Sequence, residues 1–227
     1  MIDLSLIWIL IIGLGVLIYV VLDGFDLGIG ILFPFISDRQ ERDVMMNTVA
    51  PVWDGNETWM VLGGAGLFAA FPLVYSTVLS ALYMPIILMV IALIFRGVAF
   101  EFRFKANKTK HLWDQAFIWG SILSSFLQGV ILGAYIQGIE TTNGIYTGGG
   151  LDWLTPFSLF TGISVVVLYA TLGCGWLIFK TEKMLQNRMF ELMPKLLISL
   201  LMIFVCVSIY TPLAHPQIAE RWFSQPQ

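Results

Sequence analysis

Residues 58–95 read TWMVLGGAGLFAAFPLVYSTVLSALYMPIILMVIALIF and contain no charged residue over 38 positions. As one helix this stretch would be about 57 Å long, whereas the hydrocarbon core of a bilayer is about 30 Å thick. We therefore predict that the stretch folds back once and crosses a membrane twice. Pro72, Ser76 and Ser80 interrupt the apolar run, so the turn is predicted near residues 73–79.

The whole chain shares this apolar character. Of its 227 residues, 58% are hydrophobic and only 12% are charged, and the mean hydropathy is +0.83. A soluble domain of this size has too little interior to bury so much apolar surface, so the soluble, disordered and fibrous classes are excluded. The net charge of −3, with no block of basic residues, also gives no indication of nucleic-acid binding.

The charge-free runs predict an all-α, polytopic transmembrane bundle of about six spans, forming one domain over residues 1–227. The first run is predicted to be a retained span, because no Lys or Arg precedes Arg39 and a signal peptide would carry a positive flank. The predicted spans are 4–33, 55–74, 79–99, 113–137, 155–179 and 193–212.

The basic residues are concentrated in alternate loops. Eleven of the twelve follow spans one, three and five, and the loops after spans two and four carry none. Because cytoplasmic loops of membrane proteins carry the excess of Lys and Arg, this pattern predicts that the N-terminus faces outward.

Two acidic residues lie within the first predicted span. Asp23 and Asp26 are three residues apart, so they share one face of a helix. Gly24 and Gly28, four residues apart, would let a second helix approach closely. Acids inside a span are costly and typical of functional sites. The alternative is that both acids simply meet water at the membrane interface.

A second acidic group opens the next span. Asp54 and Glu57 share a helix face and are flanked by Trp53 and Trp59. Neighbouring spans run antiparallel, so this group is expected at the same depth as Asp23 and Asp26. Converging carboxylates are what a proton relay needs. The alternative is that Asp54 only caps the helix.

Arg96 ends the third predicted span at the same level. It is a candidate counter-ion for the carboxylates, or else a basic anchor whose side chain reaches the membrane surface. No metal site is expected. Both histidines, His111 and His215, lie outside the predicted spans, where they are poorly placed to ligate a membrane-embedded haem.

Several of these stretches resemble subunit II of the cytochrome bd-type quinol oxidases. The resemblance runs along the chain, which is short at its C-terminus, since the family has about eight spans. The similar stretches are 23–30 (DGFDLGIG), 50–72 (APVWDGNETWMVLGGAGLFAAFP), 95–105 (FRGVAFEFRFK) and, more weakly, 126–139, 169–182 and 220–223.

The resemblance implies a subunit of a terminal oxidase that oxidises membrane quinol and reduces dioxygen. Haem b and haem d, or b-type haem alone, would belong to the partner subunit I, and a bound quinone is a further candidate ligand. The motifs associated with a cytoplasmic proton path match Asp23 and Asp54, and the Arg of the FR motif matches Arg96. The implied location is a bacterial or archaeal plasma membrane.

Two other functions are compatible with acids inside spans. A proton-coupled transporter would also use them, and it would be expected to show inverted repeats and broken helices near the middle of the membrane. A purely structural membrane partner would have no need of acids on two adjacent spans. Co-purification of a haem-bearing partner would distinguish an oxidase subunit from a transporter.

Overall fold

The computed structural model describes residues 3–214 and 216–224 of the chain. It is a helical bundle, which confirms the predicted all-α class. A 3-10 turn, Phe33–Phe35, follows α1, and a minimal hairpin of β1 (Thr141–Thr142) and β2 (Ile145–Tyr146) lies between α5 and α6. The helices are α1 (Leu4–Leu32), α2 (Arg39–Asn47), α3 (Trp53–Ala70), α4 (Pro72–Arg103), α5 (Lys110–Gln137), α6 (Pro156–Lys180), α7 (Lys183–Ala214) and α8 (Pro216–Phe223).

Among the described residues, five helices are long and apolar enough to cross a membrane: α1, α4, α5, α6 and α7. The chain is therefore a multi-pass membrane protein. The helix α3, which corresponds to the predicted second span, falls outside this set because its first turns are polar. The count of six spans and the outward N-terminus remain predictions.

The predicted turn at residues 73–79 is wrong, because these residues are helical. The chain instead leaves helical geometry at Phe71 and again at Leu82. Pro72 begins a helix rather than ending one, as proline tolerates a first turn. The hydroxyl of Ser76 donates to the Leu73 carbonyl, which keeps it compatible with a helix. The kink at Leu82 precedes Pro85, whose ring disrupts the preceding turn.

The polar loop expected between spans five and six is also mostly helical. Only Thr181 and Glu182 separate α6 from α7, so the predicted span 193–212 is the second part of one longer helix. Pro194 lies within α7 without ending it. His215 lies outside the described residues.

Glycines set the closest helix crossings. A Cβ atom on Gly28 of α1 would overlap the Tyr169 carbonyl oxygen of α6, and Gly173 faces the same crossing. On α5, a Cβ on Gly120 would lie 2.8 Å from the Ala92 carbonyl oxygen of α4. Small residues let membrane helices pack at such short range. The buried core consequently lies where α1, α4, α5 and α6 meet.

We call one end of this bundle the basic end. There α1, α4 and α6 finish, α5 begins, and the short amphipathic helix α2 covers the core with Met45 and Met46. Asp38 caps α2 by accepting hydrogen bonds from two backbone N–H groups. The positive-inside rule predicts that this end faces the cytoplasm.

A buried arginine–carboxylate cluster as the candidate functional site

Arg96 is completely buried inside the bundle and binds carboxylates from two other helices. Its Nη2 lies 2.8 Å from Asp23 Oδ1 and 3.7 Å from Asp26 Oδ2, both on α1. Its Nη1 lies 2.9 Å from Glu57 Oε2 on α3. Asp23 and Asp26 are themselves 0% exposed. Arg96 is thus a buried counter-ion and does not reach the membrane surface.

The local sequence explains why these groups converge. Arg96 lies seven residues before the end of α4, about 10 Å from the basic end. Asp23 lies nine residues before the end of α1, at a comparable depth. Glu57 reaches this level from the first turns of α3. Gly120 lets α5 pack directly behind Arg96, since a Cβ there would lie 2.9 Å from the Arg96 backbone nitrogen.

Aromatic rings and an amide complete the cluster. Trp53 and Phe100 stack with their ring centroids 4.9 Å apart. The Arg96 guanidinium carbon lies 5.5 Å from each ring centroid, within the range of a cation–π contact. Asn56, also buried, donates a hydrogen bond of 2.8 Å to Asp26 Oδ2. These contacts hold the guanidinium and one carboxylate in fixed orientations.

The cluster contains more acid than base. Three carboxylates share one guanidinium, so full ionisation would leave a formal charge of −2 in a largely buried site. Within the described part of the chain, Asp23 Oδ2, Asp26 Oδ1 and Arg96 Nε have no hydrogen-bond partner. Protonation of one carboxylate would reduce this formal charge to −1 and leave Arg96 bound to the other two.

Asp54 does not join this cluster. Its side chain is exposed in the first turn of α3 and makes no hydrogen bond or ion pair within residues 3–214 and 216–224. Val52, and not Asp54, occupies the N-cap position. The capping alternative therefore does not describe Asp54, although a first-turn carboxylate still suits the helix dipole. Trp59 is half-buried further along the same helix.

A lateral groove of about 470 Å³ lies between α3 and α4. Asp54, Glu57 and Glu101 line it together with Trp53, and its remaining walls are largely apolar side chains such as Leu93. The Glu57 side chain is 23% exposed, whereas Asp23 and Arg96 are fully enclosed. Glu57 is therefore the member of the cluster that meets the surroundings.

Gly24 and Gly28 place α6 against the acidic turn of α1. A Cβ on Gly24 would lie 2.9 Å from Cε1 of Tyr169, so only glycine leaves room for that ring beside Asp23. Both glycines serve packing within this chain. Phe25, between the two acids, stacks on Trp176 of α6 with centroids 4.1 Å apart.

A second ionic network at the basic end was not predicted from the sequence. Arg103 is completely buried and contacts Asp114 Oδ1 at 2.5 Å and Asp43 Oδ1 at 2.6 Å. Arg42 lies 3.0 Å from Asp114 Oδ2, and Lys110 lies 2.9 Å from Asp43. The network ties α2 to the ends of α4 and α5. The one indication of it in the sequence is that Asp43 and Asp114 lie close to basic residues, in or next to predicted loops.

Asp43, outside the spanning helices, shows the strength of this network. Burial opposes ionisation of its carboxyl group. Hydrogen bonds from Lys110 and Arg103 outweigh that effect and lower the pKa of Asp43 from its ordinary value. The carboxylate is thus held ionised as a tether for α2.

The described residues contain no group of three or more His, Cys, Asp or Glu side chains that could hold a metal ion. His111, expected in a loop, is instead an exposed residue in the first turn of α5. Of the cysteines, Cys174 is buried and donates to the Met189 carbonyl, and Cys206 is exposed.

Comparison with known proteins identifies the family. Residues 4–223 match the model of the cytochrome bd terminal oxidase subunit II family. The chain is 34% identical over 197 residues to cytochrome bd-I ubiquinol oxidase subunit 2 of Escherichia coli (strain K12), covering 82% of this chain and 51% of that protein. It is 32% identical over 195 residues to cytochrome bd ubiquinol oxidase subunit 2 of Bacillus subtilis (strain 168), covering 84% and 57%.

A probable cytochrome oxidase subunit 2 of Haemophilus influenzae is 34% identical over 191 residues, covering 80% of this chain and 50% of that protein. The chain thus spans about half the length of the curated relatives it matches. The family match nevertheless extends over nearly all of the chain and includes Asp23, Asp54 and Arg96. The chain belongs to the cytochrome bd terminal oxidase subunit II family.

Proposed function

We propose that this chain is a haem-free subunit II of a cytochrome bd-type quinol oxidase and that its buried cluster forms part of a cytoplasmic proton path. The observation that carries the proposal is that one buried guanidinium, that of Arg96, binds three carboxylates on two neighbouring helices. In the structural network around Arg103 the cations outnumber the carboxylates. In the Arg96 cluster the carboxylates are in excess, and a relay needs such groups to exchange a proton.

The path begins at the groove between α3 and α4. Glu57 is the partly exposed member of the cluster and takes a proton from that side, with exposed Asp54 three residues earlier as the entry group. Glu57 and Asp23 bind opposite nitrogens of the same guanidinium, so a proton gained by one changes the charge that Arg96 offers the other. One proton enters, the formal charge of the cluster rises from −2 to −1, and one proton leaves.

The groove face is also the face we assign to subunit I. The groove combines apolar walls with three acids, Asp54, Glu57 and Glu101. A proton path must end at the haem-bearing subunit that reduces dioxygen. Haem b and haem d, or b-type haem alone, would be ligated there. A quinone bound by the complex is compatible with such an apolar groove. Quinol would supply the electrons, in a bacterial or archaeal plasma membrane.

Co-purification from membranes tests this function. When a tagged form of this chain is co-expressed with subunit I, purification through the tag should yield a complex with the visible spectrum of haem. His111→Ala should leave that spectrum unchanged, because His111 is exposed and outside the bundle core. Isolation of this chain alone, with proton-coupled transport in vesicles, would overturn the proposal and favour a transporter.

A further inference from the structure

A second buried polar group lies deeper in the bundle, farther from the basic end than the cluster. Tyr169 of α6 donates a hydrogen bond of 2.7 Å to Gln128 Oε1 of α5. Gln128 Nε2 donates one of 2.8 Å to the hydroxyl oxygen of Tyr19 on α1. Tyr19 and Tyr169 are 6% and 2% exposed. Three helices thus contribute one continuous chain of polar atoms.

The direction of these hydrogen bonds leaves one proton unused. Tyr19 accepts from Gln128, so its own O–H proton is free to donate elsewhere. Tyr19 lies four residues before Asp23, one turn away on the same face of α1. Among the described residues the Asp23 oxygen Oδ2 has no hydrogen-bond partner, so it is an open acceptor one turn from this free donor. If the Gln128 amide were flipped so that its oxygen faced Tyr19, the Tyr19 hydroxyl would donate to Gln128. Asp23 Oδ2 would then have no donor.

We propose that Tyr19 is a positioning residue for Asp23: Gln128 and Tyr169 orient the Tyr19 hydroxyl so that its proton is directed at Asp23 Oδ2. Asp23 is then held on both sides, by Arg96 at Oδ1 and by Tyr19 at Oδ2. Gly24 makes this possible, because it admits the Tyr169 ring next to the acid. The inference rests on the proposed function for its effect on turnover, but not for the contact itself.

The test uses the assembled oxidase complex and infrared difference spectroscopy. The Asp23 carboxyl band is first assigned as the band lost in Asp23→Asn. Tyr19→Phe removes the hydroxyl and keeps the ring, so the Asp23 band should shift and turnover should fall about tenfold. Tyr169→Phe removes only the support for Gln128, so it should shift the band in the same direction by less. Tyr135→Phe, an exposed tyrosine on α5, is the matched control and should change neither.

An Asp23 band at its wild-type position in Tyr19→Phe would overturn the positioning role, even if turnover fell. Should Tyr19→Phe fail to assemble, an unshifted band in Tyr169→Phe would overturn it instead. Normal turnover in Asp23→Asn would remove the proposed proton path. A shifted band in Tyr19→Phe would still support the contact in that case, so the two failures are distinguishable.

Discussion

Removing Arg96 should harm the protein far more than removing any one of its carboxylate partners. Arg96→Met replaces the apolar stem of the side chain with one of similar shape but leaves Asp23, Asp26 and Glu57 without a counter-ion. Asp23→Asn instead leaves the guanidinium bound to Glu57 at 2.9 Å and near Asp26 at 3.7 Å. The excess of acid makes the two substitutions unequal.

The structure indicates the size of the difference. Removing one partner of a buried ion pair, and so leaving an uncompensated charge, costs about 3–5 kcal/mol. Arg96 and Asp23 are both 0% exposed, so the full range applies to Arg96→Met. In Asp23→Asn no cation is left unpaired and the formal charge of the cluster falls in magnitude, so the cost should be about 1–2 kcal/mol, that of a weakened hydrogen bond.

The assay is thermal denaturation of the purified complex, together with the yield of assembled complex from membranes. Arg96→Met should lower the midpoint temperature and the yield strongly, and Asp23→Asn only slightly. Combining the two substitutions should recover part of the loss, because one uncompensated carboxylate is removed. Equal losses in the single variants, or no recovery in the double variant, would refute the charge-imbalance argument.

Three further predictions concern the surfaces around the cluster. Asp54→Asn should reduce quinol-oxidase turnover while assembly and haem content persist, because Asp54 is exposed and supports no buried contact; unchanged turnover would exclude it as the entry group. The stabilisation that the Asp43 carboxylate provides should be lost at low pH. Since the pKa of Asp43 is lowered in the folded protein, its stabilisation is present above the ordinary carboxyl pKa of about 3.9 and is lost as pH falls through the folded value. The difference in melting temperature between wild type and Asp43→Asn should therefore shrink below about pH 4, and a constant difference would contradict the tether. Finally, Lys108→Cys in a Cys206→Ser background should react with an impermeant maleimide only after cells are opened, and ready labelling of intact cells would reverse the topology.

Much of the helical architecture follows from the sequence because charge-free runs have few alternatives in a membrane. The acids of α1 and α3 could be located for the same reason, since charge inside an apolar run is conspicuous. The reversal between α3 and α4 could not be placed, because proline and serine are compatible with a helix start as well as with a turn. Pro72 does begin a helix here.

The sequence is a poorer guide to which side chains pair with one another. Asp43 and Asp114 lie among many charges at the basic end, where sequence gives no reason to choose one pairing. The link between Tyr19, Gln128 and Tyr169 depends on the rotation of three helices, which no spacing within one helix reveals. Asp54 shares a helix face with Glu57 but lies one turn nearer the start of α3, where it is exposed. Glu57, one turn further along, reaches Arg96.

The most direct test of the central claim is proton-coupled turnover in Asp23→Asn, compared with wild type at equal haem content. If the cluster carries protons to the site of dioxygen reduction, quinol-oxidase turnover should fall by about 100-fold while the visible spectrum of the complex is preserved. Wild-type turnover in an assembled Asp23→Asn complex would contradict the account.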